Sequence, residues 1–232
     1  MLGDTDSGRP RPGPVIGRVA SAIGIAAEGA MISLGLLVAG TILIVLGLKI
    51  LGAIIVLIAI PIALFFRDPD RFPAKTENVV ISGADGKVTD IAEVSFPGAG
   101  GPLYHRVSVF MSPLNVHVNR APVGGEVTMV KHTAGEFRAA FRDEASELNE
   151  RNLIAMQDTK GRVFGMIQVA GYLARRIVCR LRARDRIQAG QRIGLIMFGS
   201  RVDHFFPPEY RVTVSTGQRV RAGETIIGAV EQ

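Results

Sequence analysis

Two patterns of hydrophobic residues divide the chain. Residues 30–66 are almost wholly apolar, and Lys49 is the only charged residue among them. Crossing the hydrocarbon core of a bilayer takes about 20 apolar residues, so this stretch is nearly long enough for two crossings. Beyond Pro73 the pattern changes to short runs of alternating or β-branched residues separated by glycine. These patterns predict a membrane segment followed by a β-rich domain.

The apolar stretch is too long for one straight helix. A helix over residues 30–66 would be about 55 Å long, against a hydrocarbon core of about 30 Å. Gly47 and Lys49 interrupt the stretch near its middle. We therefore predict a helical hairpin with both ends on one side of the membrane. A single tilted span with an interfacial extension is the alternative, and it would place the two ends on opposite sides.

Basic residues flank the apolar stretch on both sides. They are Arg9, Arg11 and Arg18 before it, and Arg67, Arg71 and Lys75 after it. Because cytoplasmic loops carry an excess of Lys and Arg, both ends are expected in the cytoplasm. The predicted organisation is a flexible cytoplasmic tail (1–28), an anchor in the cell membrane (29–66) and a domain on the cytoplasmic side (67–232).

The β-rich part shows seven candidate strands and one internal similarity. The strands are predicted at 79–81, 87–91, 107–111, 125–130, 153–157, 163–169 and 177–181. Residues 134–150 are polar and predict a loop or short helix. Residues 187–194 and 220–228 share an Ala-Gly pair, two polar residues, Ile and a later Gly. This similarity favours a lipoyl-like barrel-sandwich with two quasi-symmetric halves, and two unrelated hairpin turns are the alternative.

Positive charge is concentrated in the β-rich part. The formal net charge is +6 at pH 7, residues 1–29 are neutral overall, and only Lys49 is charged in the apolar stretch, so +5 lies in residues 67–232. A basic domain beside a bilayer suits anionic lipid headgroups. Nucleic acid is not predicted as a partner, because no aromatic residues alternate with the arginines and the chain has no Trp.

Five arginines near the C-terminus share one parity along the chain. They are Arg176, Arg180, Arg182, Arg184 and Arg186. On a continuous strand they would all line one face. That face is interpreted either as a patch for phosphate-bearing lipid or the membrane surface, or as an ordinary solvated sheet face.

The residue types alone give little sign of a bound cofactor. Cys179 is the only cysteine, and the four histidines do not show the spacing of a metal-ligand set, so no metal site is predicted. The five lysines lie outside any glycine-rich cradle that would indicate a pyridoxal enzyme. Ser200 follows Gly199 at the end of an apolar run, which indicates an exposed strand end. The elbow motif of serine hydrolases is absent.

Four motifs occur in an order that is typical of one enzyme family. They are FFRDPDRFP at 65–73, GADGKV at 83–88, FMSPLNVHVNR at 110–120 and FGS at 198–200. Together they resemble the short phosphatidylserine decarboxylases, and the resemblance extends from about residue 65 to the end of the chain. Four motifs in register are far more specific than any one of them.

The resemblance implies a zymogen that cuts itself between Gly199 and Ser200. The Ser200 hydroxyl attacks the preceding carbonyl, the ester is eliminated, and hydrolysis releases ammonia and leaves a covalent pyruvoyl group. Residues 1–199 and 200–232 then form a heterodimer, with a higher oligomer left open. The pyruvoyl group forms a Schiff base with phosphatidylserine and accepts electrons as carbon dioxide leaves, giving phosphatidylethanolamine.

The resemblance also implies roles for Asp85 in self-cleavage and for His117 in decarboxylation. Taken alone, an Asp-Gly pair is typical of a turn, and a lone histidine is usually structural. Longer family members carry a second histidine, the base in self-cleavage, where this chain has Arg120. Arginine cannot act as a base near neutral pH. Either His117 serves both reactions or Asp85 acts more directly, and Arg120 is a candidate ligand for the carboxylate or phosphate of the substrate.

Two other functions fit parts of the pattern. A decarboxylase of another serine-headed lipid would share the same catalytic end. A non-catalytic, membrane-tethered adaptor would explain the anchor and the internal similarity. Such adaptors usually carry a long coiled coil, and carrier domains a lysine at the hairpin tip, and the sequence shows neither pattern. The favoured hypothesis is a membrane-bound lyase of phospholipid biosynthesis.

Overall fold

The computed structural model describes residues 24–101, 103–136, 148–171, 176–197 and 199–230. The chain divides into two compact units, residues 1–70 and 71–232. Most of the predicted tail, 1–28, lies outside the described residues. So do most of the predicted loop or short helix at 134–150 and Phe198 of the FGS motif.

The first unit contains two apolar helices, α1 (Ala27–Val45) and α2 (Lys49–Phe65). The chain reverses between them at Gly47, whose φ of 89° lies in the left-handed region that glycine adopts without strain. The two ends of the pair meet where the Ala26 N–H donates to the Phe66 carbonyl at 2.8 Å. The predicted break in the apolar stretch is therefore confirmed.

Small residues allow the two helices to approach closely. A side-chain carbon added at Gly52 would lie 2.5 Å from the Gly40 carbonyl oxygen, and one added at Gly40 would lie 2.7 Å from Val56 Cγ2. Such contacts between small residues are typical of helix pairs in membranes. By length and composition α1 is able to cross a bilayer, whereas α2, with 17 residues, is shorter.

The second unit is built from antiparallel strands. In chain order they are β1 (Val79–Ile81), β2 (Gly86–Val94), β3 (Tyr104–Met111), β4 (Val118–Arg120), β5 (Gly125–Thr133), β6 (Arg151–Gln157), β7 (Val163–Val169), β8 (Ile177–Cys179), β9 (Arg186–Ile187), β10 (Arg192–Ile196), β11 (Ser200–Phe206), β12 (Tyr210–Val212), β13 (Arg219–Val220) and β14 (Ile226–Val230). All seven predicted strands are confirmed, although several are longer than expected and β8 ends two residues earlier.

The strands form one curled sheet of eight strands and two sheets of three. The large sheet has the order β13-β2-β3-β11-β7-β6-β5-β9, and the small sheets have the orders β1-β14-β12 and β4-β10-β8. The two small sheets are therefore counterparts. The large sheet divides into two equivalent groups of four strands, β13-β2-β3-β11 and β9-β5-β6-β7, which meet where β11 pairs with β7. Corresponding register shifts occur in the β2–β3 and β5–β6 pairs.

This order reveals an internal repeat in which one half is inserted into the other. The second half is continuous and runs from β4 to β10. The first half consists of β1 to β3 and, after the insertion, β11 to β14. Gly199 and Ser200 therefore lie at the point where the chain returns from the inserted half into the first one.

The two Ala-Gly segments occupy equivalent places in the two halves. The Gly190 N–H donates to the Ala121 carbonyl at 2.9 Å, and the Gly223 N–H donates to the Ser82 carbonyl at 2.8 Å. Ala121 and Ser82 follow the equivalent strands β4 and β1 directly. The similarity seen in the sequence is thus a repeat of structure, and the alternative of two unrelated turns is wrong.

Apolar side chains fill the space between the sheets. The main core contains side chains from both halves, including Val88, Val109, Ile154, Met166 and Ile196. A smaller cluster of Phe96, Tyr104, Leu153, Ala155 and Phe205 packs separately. Burial of these side chains supplies most of the driving force for folding and fixes the strands that carry the polar residues described below.

The prediction that five arginines line one strand face is wrong. The strand β8 ends at Cys179, residues 182–185 form a turn, and β9 begins only at Arg186. Asp185 stabilises the turn because its Oδ2 accepts the Arg182 N–H at 2.7 Å. The arginines are exposed, but they belong to a strand end, a turn and a second short strand.

Candidate active site

Ser200 is the first residue of β11 and is completely buried, so the prediction that it lies at an exposed strand end is wrong. It pairs with Met111 at the end of β3, and its Oγ lies 3.5 Å from the sulfur of that side chain. A thioether is a weak hydrogen-bond acceptor. The hydroxyl can therefore turn toward another group at small energetic cost.

Gly199 adopts a conformation that favours glycine. Its φ is 59°, in the left-handed region, and a side-chain carbon added to it would meet no atom within 4 Å. The requirement for glycine at this position therefore comes from the backbone conformation and not from lack of space. The carbonyl before Ser200 belongs to a residue that has no side chain to shield it.

Asp85 lies in the turn between β1 and β2, where two other segments hold its carboxylate. Arg71 Nη2 donates to Oδ2 at 2.9 Å, and Nη1 of the same guanidinium contacts Oδ1. The Ala222 N–H donates to Oδ1 at 2.8 Å. A guanidinium that contacts both carboxylate oxygens fixes the plane as well as the position of the carboxylate.

His204 is a site residue for which the sequence predicts no role. It is fully buried in β11, four residues after Ser200, and its Nε2 accepts the Gly83 N–H at 2.8 Å. Because Nε2 accepts, Nδ1 carries the proton and donates to the Val107 carbonyl at 3.1 Å. Burial lowers the pKa of His204 to about 4, so the ring is neutral at physiological pH.

The Gly83–Asp85 turn is thereby attached to the C-terminal part of the chain at several points. His204 holds Gly83, Ala222 holds Asp85, and the Ser82 N–H donates to the Thr225 carbonyl at 2.8 Å. All three partners lie after residue 199. Cleavage before Ser200 would leave this turn in one fragment and its supports in the other.

His117 precedes β4 and is 2% exposed. Its Nδ1 lies 2.9 Å from the Asn115 carbonyl oxygen, which can only accept a hydrogen bond, so Nδ1 carries the proton. In the neutral ring the lone pair is then on Nε2. The His117 carbonyl accepts the Ile196 N–H at 3.3 Å, which ties this residue to β10.

Arg120 is buried and directed at the backbone of the inserted half. Its Nη1 donates to the Gly190 carbonyl at 3.0 Å, and its own N–H donates to the Gly83 carbonyl at 2.9 Å. A side-chain carbon added at Gly223 would lie 2.8 Å from Arg120 Cδ. Arg120 therefore packs against glycines from both Ala-Gly segments.

A buried amide connects these parts. Asn119 Nδ2 lies 3.4 Å from the Gly83 carbonyl and 3.7 Å from the Met111 sulfur, which also contacts Ser200. Its Oδ1 accepts from Gln168 Nε2 at 2.9 Å. The segments that carry Asp85, His117 and Ser200 thus meet through Asn119 and Gly83.

Within the described residues, Asp85 and Ser200 are hydrogen-bonded to other residues and not to each other. Within the described residues, the hydrogen bonds of Asp85 go to Arg71 and Ala222, and that of Ser200 goes to Met111. The same residues contain no group of three or more His, Cys, Asp or Glu side chains that could hold a metal ion. The arrangement supplies a buried hydroxyl, a fixed carboxylate and two oriented imidazoles.

Comparison with known proteins identifies the family. The family model described as phosphatidylserine decarboxylase matches residues 59–228. The chain belongs to the phosphatidylserine decarboxylase family. The match includes all the candidate residues described above, namely Arg71, Asp85, His117, Arg120, Gly199, Ser200 and His204.

Curated members of the phosphatidylserine decarboxylase family are similar over most of their length. A phosphatidylserine decarboxylase proenzyme of Gluconobacter oxydans is 47% identical over 166 residues, 70% of this chain and 74% of the relative. One of Chlorobium chlorochromatii is 49% identical over 164 residues, 71% and 76% of the two chains. One of Mycolicibacterium smegmatis is 44% identical over 169 residues, 71% and 72%.

Proposed function

We propose that this chain is the precursor of an enzyme that decarboxylates phosphatidylserine to phosphatidylethanolamine, and that it cuts itself between Gly199 and Ser200. The observation that carries the proposal is the buried Ser200 directly after Gly199, whose backbone is left-handed. The chain is also 47% identical to a phosphatidylserine decarboxylase proenzyme over 166 residues. Gly199 and Ser200 lie where the chain passes from the inserted half back into the first half. A cut between them would therefore leave the strands of both halves paired.

The chemistry of the cut follows from the two residues. Ser200 Oγ attacks the Gly199 carbonyl carbon, and the peptide C–N bond breaks as the proton of the hydroxyl passes to the amine, which leaves an ester. Loss of the Ser200 Cα proton expels the Gly199 carboxylate and leaves dehydroalanine. Water then replaces the nitrogen, ammonia departs, and a pyruvoyl group stands at the new N-terminus.

The surroundings of Ser200 fit a pyruvoyl group. That group is close in size to the serine it replaces, and the present contact with Met111 is weak enough to be given up. When formed, the pyruvoyl carbonyl supplies the electron sink for loss of carbon dioxide. The start of β11 would hold it within the sheet.

Asp85 and His117 are assigned different tasks. Arg71 fixes both carboxylate oxygens of Asp85, so this residue orients the Gly83–Asp85 turn for self-cleavage. The neutral ring of His117 has its lone pair on Nε2, which suits it to take up and return a proton during decarboxylation. His204 is a poor candidate for the base, because both of its ring nitrogens already have partners.

Arg120 is assigned a structural task. Its guanidinium donates to the Gly190 carbonyl, and its backbone supports Gly83, so it joins the inserted half to the turn that carries Asp85. This use differs from the substrate contact considered from the sequence. Because arginine stays protonated near neutral pH, the candidates for the base in self-cleavage are still His117 and Asp85.

The two equivalent halves and their Ala-Gly turns are what a lipoyl-like barrel-sandwich would show.

The helix pair of the first unit supports action at a membrane. The helical hairpin α1–α2 serves as an anchor in the cell membrane, with the catalytic domain on the cytoplasmic side, where flanking arginines favour it. Anchoring keeps the domain close to a substrate that is itself a bilayer lipid.

The test is the mass of the purified protein together with activity on phosphatidylserine. The wild-type chain is expected as two fragments, with the smaller one beginning at position 200 and carrying the mass of a pyruvoyl group. Ser200→Ala is expected to remain a single chain with no activity. Ser215→Ala, which removes an exposed serine from the smaller fragment, is the matched control and should behave like wild type. A single uncut chain with full activity would overturn the proposal.

A further inference from the structure

Two equivalent turns, one in each half, share the same hydrogen bonds. In the turn at 182–185, the Arg182 N–H donates to the Asp185 side chain at 2.7 Å, and the Arg184 N–H donates to the Val127 carbonyl at 2.7 Å. In the turn at 215–218, the Ser215 N–H donates to the Gln218 side chain at 3.1 Å, and the Gly217 N–H donates to the Val88 carbonyl at 2.8 Å. The second turn is therefore an internal reference for what the fold requires of the first.

The two turns differ at the residue with left-handed backbone. The turn at 215–218 has Gly217 there, with a φ of 91°, which carries no strain. The turn at 182–185 has Arg184 in the same place, with a φ of 75°. A residue with a side chain is disfavoured in this conformation. The fold alone would favour glycine at both positions.

The two turns also differ in charge. Arg182, Arg184 and Arg186 are exposed, and within the described residues none of their side chains forms a salt bridge. Asp185 is already engaged by the backbone of the turn, and Glu126 lies opposite Arg186 on β5. The equivalent positions in the other half are Ser215, Gly217 and Arg219. One half therefore presents three arginines where its counterpart presents one.

We propose that Arg182, Arg184 and Arg186, here called the basic turn, form a contact surface for anionic phospholipid headgroups of the bilayer. A backbone conformation that disfavours arginine indicates that the side chain itself has a use. Guanidinium groups bind phosphate through paired N–H donors, and the charge of the basic turn complements an anionic bilayer. This contact is separate from catalysis, and it rests on the proposed membrane location.

The proposal is tested with the full chain reconstituted into vesicles. A fluorophore is attached at Gln188→Cys, an exposed position beside the basic turn, in a Cys179→Ala background. Spin-labelled lipid headgroups quench it on contact. We expect strong quenching in vesicles of phosphatidylcholine with phosphatidylglycerol, weak quenching in phosphatidylcholine alone, and loss of the difference in high salt.

Removal of the arginines should abolish the difference in quenching between the two kinds of vesicle. Each substitution among Arg182→Gln, Arg184→Gly and Arg186→Gln is expected to lower the ratio of contacting to free protein about fivefold. The Arg219→Gln variant removes the counterpart of Arg186 and is the matched control, for which quenching should stay at the wild-type level. Equal quenching in both kinds of vesicle, or in the triple variant and the wild type, would overturn the proposal.

Arg184→Gly separates a surface role from a structural one. Because it restores the residue that the equivalent turn uses, its melting temperature should equal or exceed that of the wild type while quenching falls. A lower melting temperature with unchanged quenching would show that Arg184 serves the fold instead. Cleavage before Ser200 is measured in every variant and should be complete, so failure of the membrane contact is distinguishable from failure of the proposed function.

Discussion

The two halves of the β unit share a fold but not a chemistry. The turn after β1 carries Asp85, and the equivalent turn after β4 carries Gly124 in the same place. His204 of β11 corresponds to Met166 of β7, and Ser200 corresponds to Arg162. Since the backbone is repeated, the fold itself does not require Asp85, His204 or Ser200 at these positions. The difference between the halves therefore directs attention to the same residues as the family resemblance.

The proposed cleavage position also has a counterpart. In the inserted half, β6 and β7 are joined by a tight turn in which Gly161 has a φ of 80° and the Asp158 N–H donates to the Arg162 carbonyl at 3.0 Å. In the first half the same place holds Gly199, and the chain there arrives from the insertion. A left-handed glycine occupies this point in both halves, and in the first half it is followed by Ser200, the proposed nucleophile.

The largest effect is expected from removing the charge that one half has and the other lacks. Asp85→Asn should slow self-cleavage about 10³-fold, because it removes the negative charge paired with Arg71 and replaces the oxygen that accepts from Arg71 Nη2 with an amide nitrogen, which cannot accept. Gel analysis of the fragments over time measures the rate. Asp158→Asn, a carboxamide change in the inserted half, is the control and should leave cleavage unchanged. Normal cleavage of the Asp85→Asn chain would remove Asp85 from the site.

A somewhat smaller effect is expected from removing Arg71, the partner of the Asp85 carboxylate. Arg71→Gln should lower the free energy of unfolding by about 3 kcal/mol, since it leaves a buried carboxylate without its guanidinium. Denaturant unfolding in the uncut Ser200→Ala background measures it. In an Asp85→Asn background the same substitution should cost clearly less. Equal costs in both backgrounds would show that the two side chains are not coupled.

The neutral histidine of the first half should make its stability depend on pH. The pKa of His204 is about 4 in the folded chain and 6.5 ordinarily, so its contribution is complete above pH 6.5 and is lost as the pH falls toward 4. The loss should reach about 2 kcal/mol by pH 5. His204→Met, which copies Met166 of the other half, should flatten the profile of unfolding free energy between pH 6.5 and 5. Parallel profiles for the two proteins would contradict this.

The smallest effect is expected from the paired glycines. Gly199→Ala and Gly161→Ala should each strain the backbone by about 1 kcal/mol, because both residues have left-handed φ values and neither has a close neighbour. Only Gly199→Ala should also slow self-cleavage, about fivefold, and electrophoresis of fresh protein measures it. Slower cleavage in the Gly161→Ala chain would mean that strain in either half affects the cut.

Local patterns in the sequence were sufficient for the two helices and for seven of the fourteen strands in the described residues. The apolar stretch with Gly47 predicted the helix pair, and alternating residues predicted seven strands, because those signals depend on neighbours along the chain. The Ala-Gly similarity indicated a repeat. The common strand face considered for the five arginines at 176–186 is not formed, because parity does not reveal a turn. Asp185, which accepts the Arg182 N–H, was the local signal for that turn.

The site depended on contacts that sequence spacing does not show. Ser200, Asp85 and His117 came from the family resemblance. Arg71 lay within one of the quoted motifs, yet its pairing with Asp85 became visible only when the turn was placed. His204 meets Gly83 across 121 positions of sequence, and nothing local to either residue indicates the contact. Long-range partners of this kind require the strand order.

The position of β11 determines what the proposed cleavage would do to the molecule. This strand lies between β3 and β7 in the large sheet, and the following strands β13 and β14 pair with β2 and β1. A fragment that starts at Ser200 therefore begins in the middle of a sheet and ends as part of another one. Its release would require most of the unit to unfold, so dilution or washing should not separate the fragments. The proposed cleavage would therefore break one covalent bond of the protein while its two fragments stayed together.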